Sequence, residues 1–475
     1  MTVTHSELRM RGPVHGSGQQ LRVAFGSTAG AVIEAYDFIG FGTAAALYLG
    51  TAFFPGADPL MGTLSAFATL GVGFVARPLG GILGGHLGDK VGRKPVLVVS
   101  LIVMGVATFL IGCLPTYQQA EELFGFPALA PILLVTVRIV QGLAYGAEWG
   151  GAILMTYEHS PWLKRGKYTG YVQAGFPVGL LLANLVFLVS VHLDGDWKWR
   201  VPFLFSMVLV IVGLIIRSHI PESPVFDEVK QSGEIVKSPI KQVIKDDWRN
   251  ILRGICLRIS ETAGYAISVT YMISYIKEEG IGTNQMTILA LCVASGIGIF
   301  ATAFWGYLTD RIGRRPLYLW VTAFNCLWAF PMFMLVNTKV TLLIIATFIV
   351  SYCISQNALA GSQGAWFPEL FQAATRSSGA SLAYQISAMI SGVTPFLTTL
   401  FYMAWGWVGP ATLFLIYSLL GVGATLVTKE TWGRNERAEA KKITEETPLD
   451  QYQQDLEKHA REQAENQEAL ASATK

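Results

Sequence analysis

Apolar and polar positions in this chain segregate into long blocks. Apolar runs lie at roughly 22–50, 62–85, 95–115, 129–157, 168–192, 201–219, 250–276, 285–307, 316–337, 340–366, 378–404 and 407–428, with short polar turns between them. Each reaches, or nearly reaches, the ~20 residues an α-helix needs to cross bilayer hydrocarbon. The pattern predicts twelve membrane helices. Several runs exceed the required length and call for tilt or kinks, with Pro177 and Pro395 the expected kink sites.

The polar remainder divides the chain. Residues 1–21 lack the apolar core of a cleavable signal and read as a short cytoplasmic tail. A six-helix half over 22–219 and another over 250–428 flank a linker at 220–249, broken by Pro221, Pro224 and Pro239. Residues 429–475 form a polar tail. There Leu449, Tyr452, Leu456 and Leu470 fit a heptad, but His459, Gln463 and Asn466 interrupt it. A mobile or partly helical tail is expected rather than a coiled coil.

One turn occurs twice. Gly85-His86-Leu87-Gly88-Asp89-Lys90-Val91-Gly92-Arg93-Lys94-Pro95 is repeated, nearly half a chain length later, as Gly306-Tyr307-Leu308-Thr309-Asp310-Arg311-Ile312-Gly313-Arg314-Arg315-Pro316. A match of so many positions between two apolar runs points to a duplicated membrane protein. Gly92 and Gly313 can take φ > 0 and reverse the chain, and Pro95 and Pro316 suit the first turn of the next helix. Asp89 and Asp310 can accept from the free N–H groups of a neighbouring helix end or pair with a nearby arginine such as Arg93 or Arg314. A weaker repeat follows the fourth and tenth runs: Glu158 with Arg165, and Glu369 with Arg376, each seven residues apart. These four are either ordinary interfacial charges or partners of the paired loops in a conformational clamp.

Composition narrows the class. The chain is 52% hydrophobic and 14% charged, against about a quarter charged in soluble proteins. No basic stripe with interleaved aromatics suggests nucleic acid. The five cysteines sit in apolar runs at spacings that suit neither a metal site nor a disulfide framework, so packing is their expected role. No cofactor is implied. Lys90, Arg93, Lys94, Lys164, Arg165, Lys167, Arg311, Arg314, Arg315 and Arg376 fall on one side of the predicted membrane, against Lys198, Arg200, Lys277 and Lys339 on the other. The basic side is expected to be cytoplasmic, with both termini inside.

Ionisable residues at bilayer depth cost several kcal/mol unless paired or hydrated, so each marks a candidate site. Glu34 and Asp37 in the first run are three residues apart, on one helical face near mid-membrane. Close carboxylates in a low-dielectric cavity suit a proton carrier; pairing of one of them with an intramembrane arginine is the alternative. In the fourth run Arg138, Gln141, Tyr145 and Glu148 form a polar stripe at steps of three, four and three. Arg138 offers a planar fork for a carboxylate, or a structural ion pair with Glu34, Asp37 or Glu148. Gly142, Gly146, Gly150 and Gly151 keep that helix slim. Arg77 is expected to reach the interface or the clamp loop. Arg258 and Glu261, three apart, can satisfy each other. Gln141, Tyr145, Gln173, Tyr265 and Gln356 are neutral substrate-binding candidates beside Arg138. Gln363, Gln385, Asn184 and Asn357 are further polar positions, each as suited to bonding between helices as to touching substrate.

The repeated loop resembles the signature of the major facilitator superfamily, whose fold is all-α, with twelve membrane helices in two pseudo-symmetric halves. Glu34-Ala35-Tyr36-Asp37-Phe38, Arg138-Ile139-Val140-Gln141-Gly142, Glu148-Trp149-Gly150-Gly151, Trp199-Arg200-Val201-Pro202-Phe203 and Glu222-Ser223-Pro224 are similar to the metabolite:proton symporter family, over nearly all of 22–428. Residues 59–69 are most similar to its shikimate-type branch. The resemblance implies a membrane carrier, not an enzyme, taking up an organic acid such as shikimate or a di- or tricarboxylate with protons. It would act as a monomer in the cell membrane by alternating access. A proline or betaine symporter, a drug/proton antiporter and a transporter-like receptor without turnover are the competing readings.

Overall fold

The computed structural model describes residues 18–56, 58–91, 93–148, 152–218, 244–245, 247–371 and 376–446. Among them the chain is helical throughout, with no strand. The segments are α1 (Gly18–Ala44, continuing through Ala45–Leu49 and Gly50–Phe53), α2 (Pro59–Val91), α3 (Arg93–Cys113), α4 (Leu129–Glu148, then Ala152–His159), α5 (Arg165–Gln173, then Gly175–Ser190) and α6 (Trp197–Ser218). The second half holds α7 (Trp248–Tyr265, Ala266–Tyr271, Met272–Glu278), α8 (Asn284–Ile312), α9 (Arg314–Trp328, Pro331–Asn337), α10 (Thr341–Ile349, Val350–Gln356, Asn357–Glu369), α11 (Arg376–Trp405) and α12 (Val408–Val427).

Among the described residues nine helices are long and apolar enough to cross a membrane. Two bent pairs raise this to eleven: Val98–Cys113 with Tyr117–Phe124, at 76°, and Arg314–Trp328 with Pro331–Asn337, at 45°. The twelfth is α7, whose length is sufficient but which carries Arg249, Arg253, Arg258 and Glu261. The linker over 219–243 and the tail beyond Glu446, including its heptad positions, lie outside the described residues.

The duplication reads directly onto the packing. The repeated loop equates α2 with α8, and by the same offset α5 with α11. The two halves meet through α2 against α11 and α5 against α8, one contact and its pseudo-symmetric mate. Within the first half, α2 and α4 pack most closely. A Cβ on Gly146 would lie 1.9 Å from the Arg77 carbonyl oxygen, and one on Gly142 would lie 2.0 Å from that of Gly73. Small residues let the backbones touch, as the glycine stripe predicts; Gly150 and Gly151 are outside the described residues.

The kinks differ in part from expectation. Helix α5 is interrupted at Ala174, three residues before Pro177, where proline removes a backbone donor. Pro395 lies inside an unbroken α11, where the Pro395 carbonyl accepts from Thr399 Oγ1 at 2.9 Å. Three unpredicted wide π-type turns occur instead, at Ala45–Leu49, Ala266–Tyr271 and Val350–Gln356. An extra residue per turn disturbs the hydrogen-bond ladder and leaves carbonyls for other donors. Leu47 O accepts Lys277 Nζ at 2.8 Å, and Cys353 O accepts Trp305 Nε1 at 2.8 Å.

The α2–α4 seam is testable. Gly146→Val forces the backbones apart and is expected to destabilise the protein by roughly 1–3 kcal/mol, the usual range for overpacking. A thermal-unfolding midpoint in detergent equal to that of the native protein would refute the tight approach.

Candidate functional site

Helices α1, α2 and α4 bring two guanidinium groups into the membrane interior. Arg138 is 3% exposed. Its plane lies 3.9 Å from the centre of the Phe41 ring, and a Cβ on Gly73 would sit 2.9 Å from its Nη2. Its Nη1 donates to Gln141 Oε1 in a short bond, while Nε has no hydrogen-bond acceptor among the described residues. Arg77 lies between the rings of Phe74, at 3.7 Å, and Tyr145, at 3.5 Å. It is buried, so the expectation that it reaches the interface or the clamp loop is corrected. Phe74 is one turn away on the same helix and Tyr145 faces it across the glycine seam, so Arg77 is held inward.

The carboxylates of α1 divide between these cations. Glu34 meets the Tyr145 hydroxyl and acts electrostatically on Arg77. Asp37 acts on Arg138. Asp37, Phe38, Arg77, Arg138, Gln141 and Tyr145 line one cavity. Glu34, Asp37, Arg138, Gln141 and Tyr145 thus lie in one neighbourhood, with Arg77 among them. The Glu148 side chain is outside the described residues.

The remaining candidates occupy other places. Gln173 donates to the Ala360 carbonyl at 3.1 Å and lines a second cavity, between the halves, with Gln363, Ser381 and Tyr384. Gln356, in the wide turn of α10, donates to Ser355 Oγ at 3.0 Å and abuts Gly264. Tyr265 packs against Tyr352, ring centres 6.0 Å apart. Neither cavity joins Gln356 or Tyr265 to Arg138. Arg258 pairs with Glu261 at 3.8 Å, as their spacing predicts. It also lies 3.0 Å from the centre of the Tyr384 ring. Tyr384 went unnoticed in the sequence because a lone tyrosine in an apolar run carries no signal.

At one end the halves are latched. Asp310 accepts from the backbone N–H groups of Gly166 and Lys167, both at 2.8 Å, at the start of α5. It also receives Arg314 Nη1 at 2.8 Å, and Arg314 reaches Glu369 at 3.3 Å. Both partners proposed for Asp310 are thus present at once. Gly313 turns with φ 107°. Arg165 donates to the Tyr157 hydroxyl at 3.0 Å, and Arg376 to the Pro368 carbonyl at 2.9 Å. The side chains of Asp89, Arg93 and Glu158 are outside the described residues.

The segment after α12 is partly helical over its described residues, one of the two forms expected of the tail, and it is anchored to the latch. Glu430 accepts from the N–H groups of Arg314 and Arg315 at 3.1 and 3.0 Å, capping α9. Trp432 donates from Nε1 to the Asp310 carbonyl at 3.0 Å, and Thr431 bonds Glu369. A helix, Arg434–Glu446, follows, and Trp432 packs with Trp162 and Ala440. At the opposite end Lys277 holds Leu47 O, and Glu278 accepts from Thr63 Oγ1 at 3.0 Å, again across the halves.

The sequence profile of the Major Facilitator Superfamily matches residues 29–362. The chain belongs to the major facilitator superfamily. This superfamily protein is 37% identical over 421 residues to the shikimate transporter of Escherichia coli (strain K12), covering 86% of this chain and 94% of that one. It is 32% identical over 433 residues to the proline/betaine transporter of the same organism, covering 88% and 85%. The solved proton:xylose symporter XylE bound to 6-bromo-6-deoxy-D-glucose superposes with a TM-score of 0.68 at 18% identity, covering 90% of this chain and 99% of that structure. That likeness shows the fold: twelve membrane helices in two pseudo-symmetric halves. The protein is a multi-pass membrane transporter.

Asp310→Asn tests the latch. It keeps the shape but removes the charge from bonds worth about 1.5–3 kcal/mol each. The expected result is faster thiol labelling of Ser381→Cys from the Asp310 side and slower transport at equal abundance. Unchanged labelling and transport would remove the latch from the mechanism.

Proposed function

We propose that this protein is a proton-coupled symporter that takes up a small organic acid, with Arg138 as the carboxylate anchor. The observation that carries this is a buried guanidinium lining a cavity with Asp37 and retaining an Nε–H without an acceptor among the described residues. A carboxylate matches that fork in geometry and charge. The similarity to a shikimate transporter supports a hydroxylated carboxylate as the first substrate to try.

In this reading, substrate at Arg138 weakens the hold of Arg138 on Asp37, raising the proton affinity of the carboxylate and linking anion binding to proton binding. Glu34, paired with Arg77 and Tyr145, would relay the proton. Tyr145 and Gln173 would contact the substrate, with Tyr265 and Gln356 entering as the halves close around it. Glu148 is the next acid in line. Alternating access is rocking of the halves about the α2–α11 and α5–α8 contacts, with the Asp310 latch closing one side. The excess of Lys and Arg around that latch supports a cytoplasmic latch, with both termini inside and the carrier in the cell membrane. The functional unit is a monomer.

A zwitterion is the second reading. Asp37 and Arg138 present opposite charges in one cavity, which proline or betaine would match, and the proline/betaine relative supports it. Counterflow in proteoliposomes with labelled shikimate, 2-oxoglutarate, citrate, proline and betaine separates the two. Exchange of the acids supports the first; exchange of proline or betaine alone replaces it.

Arg138→Lys keeps the charge and loses the fork. Apparent affinity for the transported acid should fall at least tenfold, roughly 1.4 kcal/mol. Native affinity in that variant would return Arg138 to a structural role.

Asp37→Asn should abolish accumulation driven by a pH gradient while sparing exchange of internal for external substrate. Concentrative uptake under an imposed ΔpH alone, at matched protein, would move the coupling acid elsewhere.

A further inference from the structure

We infer that Thr108, on α3, is a positioning residue for the anion site: a one-way hydrogen-bond chain running from Thr108 through Gln141 sets the plane of the Arg138 guanidinium. This rests on the reading of Arg138 as the substrate anchor. It also changes the part given to Gln141, from a substrate contact to the link that holds the anchor.

The direction of the chain follows from what each group can donate. A guanidinium has no acceptor, so the end of Gln141 facing Arg138 must be its carbonyl oxygen. Arg138 Nη1 does donate to Gln141 Oε1. The amide nitrogen of Gln141 then points the other way and must find an acceptor. It meets Thr108 Oγ1 at 2.7 Å. That hydroxyl, having accepted, has its own proton to place, and donates it to the Met104 carbonyl at 2.9 Å, one turn back along α3. Every donor in the relay has one acceptor, and reversing any member would set two donors or two acceptors face to face.

All three side chains are buried: Thr108 at 1%, Arg138 at 3% and Gln141 at 4% exposure. Water therefore offers no ready substitute for a lost partner. Gln141 sits three residues from Arg138 on the same helix, but a glutamine with free side-chain torsions cannot hold anything. Thr108, on a different helix, supplies the fixed point. The face of Phe41 and the bare backbone at Gly73 close two other sides of the guanidinium. With Nη1 committed to Gln141, the Nε edge keeps its donor for a ligand.

Thr108→Val keeps the shape and β-branching but can neither accept from Gln141 nor donate to Met104. Thr108→Ser keeps both bonds. The first readout needs no substrate: ¹⁵N-arginine spectra of the whole protein in lipid nanodiscs, with the Arg138 signals assigned by their loss in Arg138→Lys. Resolved, slowly rotating Nη–H signals are expected in the native protein and in Thr108→Ser, and averaged signals in Thr108→Val. Arg138 signals in Thr108→Val identical to native ones would overturn the relay. If Thr108→Val does not fold, Thr108→Ala is read in the same way.

The second readout is uptake of labelled shikimate. Half-saturation is expected to rise about tenfold in Thr108→Val with the maximal rate within about twofold, and to stay near native in Thr108→Ser. In the Arg138→Lys background Thr108→Val should add nothing. A further tenfold loss there would mean that Thr108 acts independently of Arg138, overturning the assignment. A native protein that takes up no shikimate removes the substrate reading, and the spectra alone then support or overturn the relay.

Discussion

A full positive charge in hydrocarbon must be given neighbours before a helix can carry it there. Among the described residues, the buried arginines meet that demand with aromatic faces, and most have a hydrogen-bonding partner as well. Arg138 lies on Phe41, Arg77 between Phe74 and Tyr145, Arg258 on Tyr384 and Arg165 on Tyr157. A ring face attracts the cation without neutralising it, and guanidinium, being weakly hydrated, gives up less water than ammonium would. An arginine held by a ring keeps donors that a full ion pair would consume. Burial and a site still able to take an anion are thus compatible in one residue.

The same economy shapes the contact between the halves. Because the chain is a duplication, the interface is built from one packing arrangement used twice, α2 with α11 and α8 with α5. The two ends are then finished differently. One is closed by charges: Asp310 on the first turn of α5, backed by Arg314 and Glu369. The other is closed by lighter bonds, Lys277 to a carbonyl freed by a wide turn and Glu278 to Thr63. Symmetric halves with unequal closures give a carrier whose two open states need not have equal energies.

Much of this was legible in the sequence because it depends on one-dimensional patterns. Run lengths predict the spans, and the repeated loop predicts the halves and both alternative partners of Asp310. The stripe from Arg138 to Tyr145 marks one wall of the cavity that also holds Asp37 and Arg77. What escaped depends on register between helices. Arg77 stands near the predicted interface and beside Pro78, so its number alone places it outward; the ring of Tyr145, across a glycine seam, places it inward. The wide turns carry no proline or glycine signature within Ala45–Leu49, since tertiary contacts rather than propensity hold them. Glu430, Thr431 and Trp432 read as the start of a polar tail. The tryptophan in that charged stretch was the one available hint of anchoring.

That anchoring bears on how the protein is made. Asp310 receives the start of α5, made early, while its carbonyl receives Trp432, which leaves the ribosome only after the last span. The cap on α9 likewise waits for Glu430. During synthesis the two halves can insert and meet, but the finished closure has to wait for residues beyond the final helix. A chain cut short after α12 would hold every membrane span and still lack the pieces that complete the lock. Completion of the closure thus depends on three residues that follow the last span.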